Sequence, residues 1–490
     1  MKRARSLVLI LFAFALAHAP LFGQSVQTEP WAKIPVPRLK EFQPQQPKRI
    51  VLPNGMVIFL QEDHELPLID GIARVRGGER SVAATKIGLT DVYGEVWRTG
   101  GTKAKTGDQL DDYLEQRAAR VETAGGADFT SISWSCLKED FDDVFKVFDD
   151  LLRHPEFREE KIKISKDAQY DGISRRNDDP GQIAGREAAK LAYGADSPYA
   201  RVPEYTTIAA VTREDLIAWH NTHVQPNNII LGVVGDFDSA KMEARLRQAF
   251  GSWAKGAAAK DAELPLKAAR PGYYLVEKTD VNQSNIQMVA LGTTRKDPNY
   301  YAISVFNEAF GGGFSSRLFS NIRTAKGLAY AVGGGVGTAW DHPGMLRFLV
   351  MTKSQSTIES INAIDDEIAD LAKHPFNDQE VKRAKDAILN SFIFRFDSPA
   401  KVLQEKMAYE FYGYPLDFLE NFQRGIEKVT DAEVNSIAAK YIHRDQMAVL
   451  VVGRSGEFDK PLNSLGEVKN LDIAIPAAPK GLLPNEEGQQ

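Results

Sequence analysis

The sequence predicts an α+β protein built from two homologous α/β-sandwich domains of about 220 residues each, with helices packed on a mostly antiparallel sheet. Three observations predict it: a long-period internal repeat, hairpin-like strands mixed with amphipathic helices in both halves, and a small, charged, Pro-containing segment between them.

The repeat is read from five ordered matches. His154-Pro155 recurs as His374-Pro375 at an offset of 220, and Lys166-Asp167-Ala168 as Lys385-Asp386-Ala387 at 219. Tyr193-Gly194 recurs as Tyr412-Gly413 at 219, and Val211-Thr212 as Val429-Thr430 at 218. The run IILGVVG from Ile229 recurs as MAVLVVG from Met447, again at 218. Five matches in one order within two residues of a single offset point to duplication.

In chain order, residues 1–24 read as a secretory signal, with Lys2, Arg3 and Arg5 ahead of an apolar run and Ala17-His18-Ala19 as a cleavage site. Residues 25–47, rich in Pro and Gln, form an extended lead-in. The N-terminal domain spans 48–254. It opens on two β-rich runs around Pro53-Asn54-Gly55, a hairpin signal. A strand over Leu68–Val75, helices near 88–98 and 107–119, strands at 120–124 and 129–136, and a helix near 139–152 follow. The linker is 255–272, the C-terminal domain 273–471, and the tail 472–490.

Composition excludes some classes. With 43% hydrophobic and 26% charged residues the chain is an ordinary globular protein, and a net charge of −6 without a basic run excludes a nucleic-acid binder. The single cysteine, Cys136, permits no internal disulfide and reads as a small core residue of a strand. An exported chain without disulfides fits a bacterial periplasm or cell envelope.

Two stretches carry the chemistry. The first, Gly88 to Thr102, reads GLTDVYGEVWRTGGT. Leu89, Val92 and Val96 mark the buried face of a short helix, Asp91 and Glu95 project together from another, and Gly100-Gly101 ends it. The second, Phe310 to Gly335, reads FGGGFSSRLFSNIRTAKGLAYAVGGG. It predicts a helix end over Ser316–Arg323, a stop at Gly327 and a strand from Leu328. Its glycine clusters lack a Walker ending and read as tight turns or close backbone approaches.

Both stretches resemble signatures of the pitrilysin, insulin-degrading enzyme and mitochondrial processing peptidase family of zinc metallopeptidases. Those enzymes carry His-x-x-Glu-His on the first helix, where two imidazoles hold zinc and the glutamate is the general base. Here the first ligand position is Asp91, the base position Gly94 and the second ligand position Glu95. The later glutamate ligand of the family aligns, counting back from Pro180, with Gly172; Asp171 is adjacent but turned elsewhere. The zinc site reads as degenerate, with no metal held by this chain. Asp91 and Glu95 could at most hold a hard cation weakly.

The second stretch matches the family's Gly-Gly-x-x-Ser-Arg-Leu run with its following arginine and tyrosine, here Arg323 and Tyr330. The resemblance implies that this pair contacts the scissile carbonyl across a clamshell of which this chain is half, both groups donating hydrogen bonds to an oxygen gaining charge. It also implies a partner, a homologous His-x-x-Glu-His subunit holding the zinc, with oligopeptide or unfolded substrate bound as an added β-strand. Leu68–Val75 and Ser284–Val289 are the candidate edge strands. The expected function is thus a non-catalytic subunit of a two-chain periplasmic peptidase, inactive alone. The alternative is a structural or peptide-binding scaffold.

The histidines are weaker candidates. His220 and His223 have possible ligand spacing without a nearby third ligand. His154 and His374 occupy matched helix-turn positions, and His64 lies in an acidic, solvated loop.

Overall fold

The computed structural model describes residues 44–259, 265–268 and 270–482. The signal, almost all of the lead-in, part of the linker and the end of the tail lie outside the described residues. From Pro44 onward the chain is one compact unit.

Each half builds a six-stranded sheet. The first contains β1 (Lys48–Val51), β2 (Val57–Glu62), β3 (Leu68–Arg76), β4 (Arg120–Ala124), β5 (Phe129–Leu137) and β6 (Ile229–Gly235), in the order β1-β2-β6-β3-β5-β4. The hairpin forms where Pro-Asn-Gly requires it, with Gly55 at φ 92°, a conformation a side chain would strain. The second sheet contains β7 (Gly272–Glu277), β8 (Gln283–Leu291), β10 (Ala329–Gly335), β12 (Met345–Lys353), β13 (Ala448–Gly453) and β14 (Val468–Asn470). Two short strands, β9 (Thr293–Thr294) and β11 (Thr338–Ala339), pair beside it.

The duplication is visible as topology. The run β2-β6-β3-β5-β4 is repeated as β7-β13-β8-β12-β10. In both, the first pair is parallel and the rest antiparallel. The repeated apolar strands β6 and β13 are buried at every residue because both faces of each are covered. Strand β5 instead alternates buried and half-buried positions, with Cys136 on the buried side and its thiol pushed up to about 12 by burial.

The topology corrects one expectation. Leu68–Val75 and Ser284–Val289 lie in β3 and β8, which are interior strands with a neighbour on each side. Alternating hydrophobicity reports a buried face and says nothing about whether both hydrogen-bonding edges are taken. The edges are β1 and β4 in the first sheet and β10 and β14 in the second.

The halves are tied together by exchanged helices. Helix Pro180–Tyr193 comes from the first half, yet Ile183, Ala184, Ala188 and Leu191 pack against Tyr274, Val289 and Leu450 of the second sheet. Its repeat partner, helix Pro399–Tyr412, lies 219 residues later and does the reverse. There Leu403, Met407 and Phe411 pack on Phe59, Ile230 and Val234 of the first sheet. Gly232 in β6 makes room, since a Cβ there would meet the Met407 sulfur at 2.4 Å.

A polar clasp crosses the same junction. Arg80 Nη1 donates to Asp341 at 2.6 Å and lies 3.3 Å from Asp128. Tyr199 and Tyr412 donate to the two oxygens of Asp128 at 3.0 and 2.7 Å. Burial raises the Asp341 carboxyl, but hydrogen bonds from His342 and Arg80 outweigh it and hold the pKa at about 2.

Met407→Ala removes a fully buried side chain from the exchanged helix and should cost about 2–4 kcal/mol, read as a lower urea midpoint at unchanged slope.

Candidate functional site

The helix Leu89–Thr99 forms where the spacing predicts it. Val92, Tyr93, Val96 and Trp97 are fully buried, while Asp91 and Glu95 are exposed on another face. Its N-terminus begins at Gly88 with φ 93°. Glu79, which sequence reading missed, satisfies that end: its carboxylate accepts from Gly88 N at 2.9 Å and Thr90 Oγ1 at 2.6 Å. Burial raises the Glu79 pKa.

Asp91 and Glu95 line a pocket of about 320 Å³ with Arg98 and Thr99 from the same helix, Glu122 to Gly125 from β4 and its end, and Gln169. Each carboxylate differs from a free metal ligand. The protein around Asp91 desolvates its carboxyl and raises the pKa. Glu95 accepts a hydrogen bond from the buried Ser165 hydroxyl at 2.6 Å. Gly172 lies on helix Glu159–Arg175 with open space around it and no side chain to offer. Gln169, one turn earlier, reaches the pocket instead, and Asp171 is exposed outside its lining.

The base position is closed by packing. A Cβ on Gly94 would stand 2.0 Å from the Gly125 amide nitrogen and 2.6 Å from the Ala124 carbonyl carbon. In return, a Cβ on Gly125 would stand 2.0 Å from the Thr90 carbonyl oxygen. Helix and strand end touch backbone to backbone, held by Thr123 Oγ1 donating to Gly94 O and Arg98 Nε donating to Val121 O. No glutamate fits between them. Zinc does not fit this donor set, and no water-activating step is available through these residues.

His220 and His223 are packing residues. Buried His220 shares a hydrogen bond with Tyr93 OH at 2.9 Å through Nδ1, and desolvation lowers its pKa to about 3. His223 stacks on Trp219, with ring centroids 3.8 Å apart. His154 and His374 pair with Asp150 and Asp370 four residues back, at equivalent helix ends. His64 is exposed beside Asp236 and Glu62.

The structure brings Arg323 and Tyr330 together. Arg323 lies on a wide-turn π-helical segment, Phe319–Ala325, in place of the α-helix end expected. Its guanidinium carbon is 4.8 Å from the Phe319 ring centre and 5.8 Å from that of Tyr330. Tyr330 stands on edge strand β10 at a register shift between Ala329 and Ala331, a β-bulge that turns the ring outward. It is 71% exposed, and Phe314 is 83% exposed. The glycine clusters meet: a Cβ on Gly311 would stand 2.5 Å from Gly334 O, and one on Gly333 2.7 Å from Gly311 O. They are a close backbone approach.

Residues 210–388, which contain both Arg323 and Tyr330, match the family model described as the Peptidase M16 inactive domain. An uncharacterized zinc protease of Streptomyces coelicolor is 24% identical over 411 residues, covering 76% of this chain and 88% of its own length. A protein of Helicobacter pylori named as a non-peptidase homolog is 22% identical over 403 residues, covering 81% of this chain and 91% of its own. A crystal structure of a peptidase M16 inactive domain from Pseudomonas fluorescens has a TM-score of 0.75 at 24% identity, covering 84% of this chain and 98% of that one.

Three outcomes follow. Gly→Ala in an open helix gains about 1 kcal/mol, whereas Gly94→Ala should instead lose about 1–3 kcal/mol through overpacking, measured by chemical denaturation. The combined Asp91→His, Gly94→Glu, Glu95→His, Gly172→Glu variant should retain no stoichiometric zinc after dialysis. His220 binds a proton more weakly folded than unfolded. Its contribution is therefore complete above about pH 6.5 and is lost as pH falls toward 3, up to about 5 kcal/mol. His220→Gln should remove about one proton from the pH slope of stability in that range.

Proposed function

We propose that this chain, whose residues 210–388 match the Peptidase M16 inactive domain and whose fold is that of such a domain, is an inactive member of that peptidase family and the non-catalytic subunit of a two-chain metallopeptidase. Arg323 and Tyr330 are its contribution to peptide binding, and a homologous His-x-x-Glu-His subunit supplies the zinc and the general base.

The observation that carries this reading is a contrast within one chain. At Gly94 the base position is filled by backbone, whereas Arg323 and Tyr330 are adjacent and open to solvent. A guanidinium and a phenol held a few ångströms apart suit one task in peptide hydrolysis, donating to a carbonyl oxygen as it acquires charge. The bulge at Tyr330 supports that role, because the phenol projects from an edge strand without a packing duty.

Substrate binding follows from the sheet edges. Strand β4 pairs on one side only, with β5, and runs beside the pocket of Asp91 and Glu95. An extended oligopeptide can add to such an edge through main-chain hydrogen bonds, which favours unfolded peptides over folded proteins. The N-terminal signal reading supports a periplasmic or cell-envelope location for this chain.

Mixing the purified chain with a His-x-x-Glu-His homologue encoded beside it should yield a stable complex that cleaves a quenched oligopeptide, while this chain alone does not. Arg323→Ala should lower kcat/KM about 10²–10³-fold with the complex intact by gel filtration. Undiminished cleavage in that intact complex assigns the chain a scaffold role instead.

A further inference from the structure

A cavity of about 620 Å³ opens on the second half, between the loop after β9 and the helices Tyr300–Asn307 and Phe418–Lys428. From its lining we infer a ligand site separate from peptide binding: it takes a nucleotide-sized organic anion with two or more negative charges. Arg295, Lys296, Arg424 and Lys428 hold the charge, and Tyr301 and Tyr414 flank the remainder.

The charge is uncompensated. Several cations elsewhere in this half have carboxylate partners: Arg317 has Glu380, Lys406 has Glu420 and Arg444 has Asp365. Around the cavity, among the described residues, none of the four basic groups has a carboxylate within 4.0 Å. Arg295 instead lies flat on the Trp340 ring at 3.7 Å, with its Nε lacking a hydrogen-bond acceptor. Lys296 sits 5.2 Å from the Tyr414 ring centre, and Arg424 donates to the Asn421 side chain at 2.6 Å. Glu433, the lining carboxylate, is taken up at 2.8 Å by the Thr430 amide and hydroxyl at a helix start.

A helix C-terminus attracts cations and accounts for Arg424 and Lys428 in the last turns of Phe418–Lys428. It does not account for Arg295 and Lys296, which arrive from another element and face the same space. Four like charges around one concavity repel one another, and an anion of matching size relieves that repulsion. The two guanidiniums suit phosphoryl or carboxylate oxygens, and the volume suits a small organic ligand.

The wall is shaped by a glycine. Gly425 stands inside the Phe418–Lys428 helix, where glycine is less favourable than alanine. A Cβ there would strike three atoms of the Tyr301 ring at 2.7 Å. The glycine lets that ring lie close against the helix in the cavity wall, where an aromatic ring can pack on a planar ligand group.

Isothermal titration at about 150 mM salt, with ATP, tripolyphosphate and citrate as probes, tests the site on the chain alone. This keeps the result independent of the peptidase reading. We expect one-to-one ATP binding with Kd below about 100 µM, weakened about tenfold or more in Lys296→Gln/Arg424→Gln, both changes being at exposed positions. Tyr301→Ala should weaken ATP binding and leave tripolyphosphate unchanged. Tighter ATP than citrate assigns phosphoryl chemistry, and the reverse assigns a polycarboxylate of the same class. Binding of every probe weaker than about 1 mM, or equal affinity in the double variant, overturns the inference.

Discussion

The rest of the first half is arranged around one contact, the meeting of a helix backbone and a strand end at Gly94 and Gly125. Each lacks the side chain that would hold the other away, and a Cβ on either would stand 2.0 Å from main-chain atoms of its neighbour. Main chain does not yield as a flexible side chain does, so this contact sets the distance of the helix from β4 and the depth of the pocket of Asp91 and Glu95. The absent base is therefore a consequence of how the layers fit. A hydrolytic site needs a gap filled by a carboxylate and water, and this half has exchanged that gap for van der Waals contact.

The second half contains the same device. Gly311 follows the helix Tyr300–Asn307, and β10 meets it through Gly333 and Gly334, again glycine against backbone. In the duplicated topology β10 is the counterpart of β4. The first half has thus come to resemble its repeat at the place where a metallopeptidase would differ from it. What separates the halves is Tyr330, bulged out of β10 beside Arg323, for which β4 has no equivalent aromatic residue. One edge strand is closed against backbone, and the other carries exposed side chains.

Much of this was legible in the sequence. The repeat gave the two sheets, the Pro-Asn-Gly run gave the first hairpin, and the i, i+3, i+7 spacing gave the buried face of the 89–99 helix. Arg323 and Tyr330 could be paired from their motif alone. What escaped was non-local. Edge status depends on which strands neighbour β3 and β8, and a single strand's pattern does not encode its neighbours. Glu79 caps a helix from ten residues before it, without the spacing of a capping box. Gly94 was readable as a missing base, but the clash that keeps it glycine involves a residue on another strand. Cross-packing of 180–193 and 399–412 left no local mark, because a helix's apolar stripe looks the same whichever sheet it covers.

That cross-packing has a mechanical consequence. Separating the two sheets would strip both at once, exposing the Leu403, Met407 and Phe411 face together with the Ile183, Ala188 and Leu191 face. It would also break the ion pair from the nearly inaccessible Arg80 to Asp341. Burial on that scale, with charges to strand in the open, sets a barrier too steep for routine breathing. The described residues form a single stiff body. In the two-chain enzyme proposed above, any gape that admits a peptide would arise where this body meets its partner, which makes the hinge an intermolecular one.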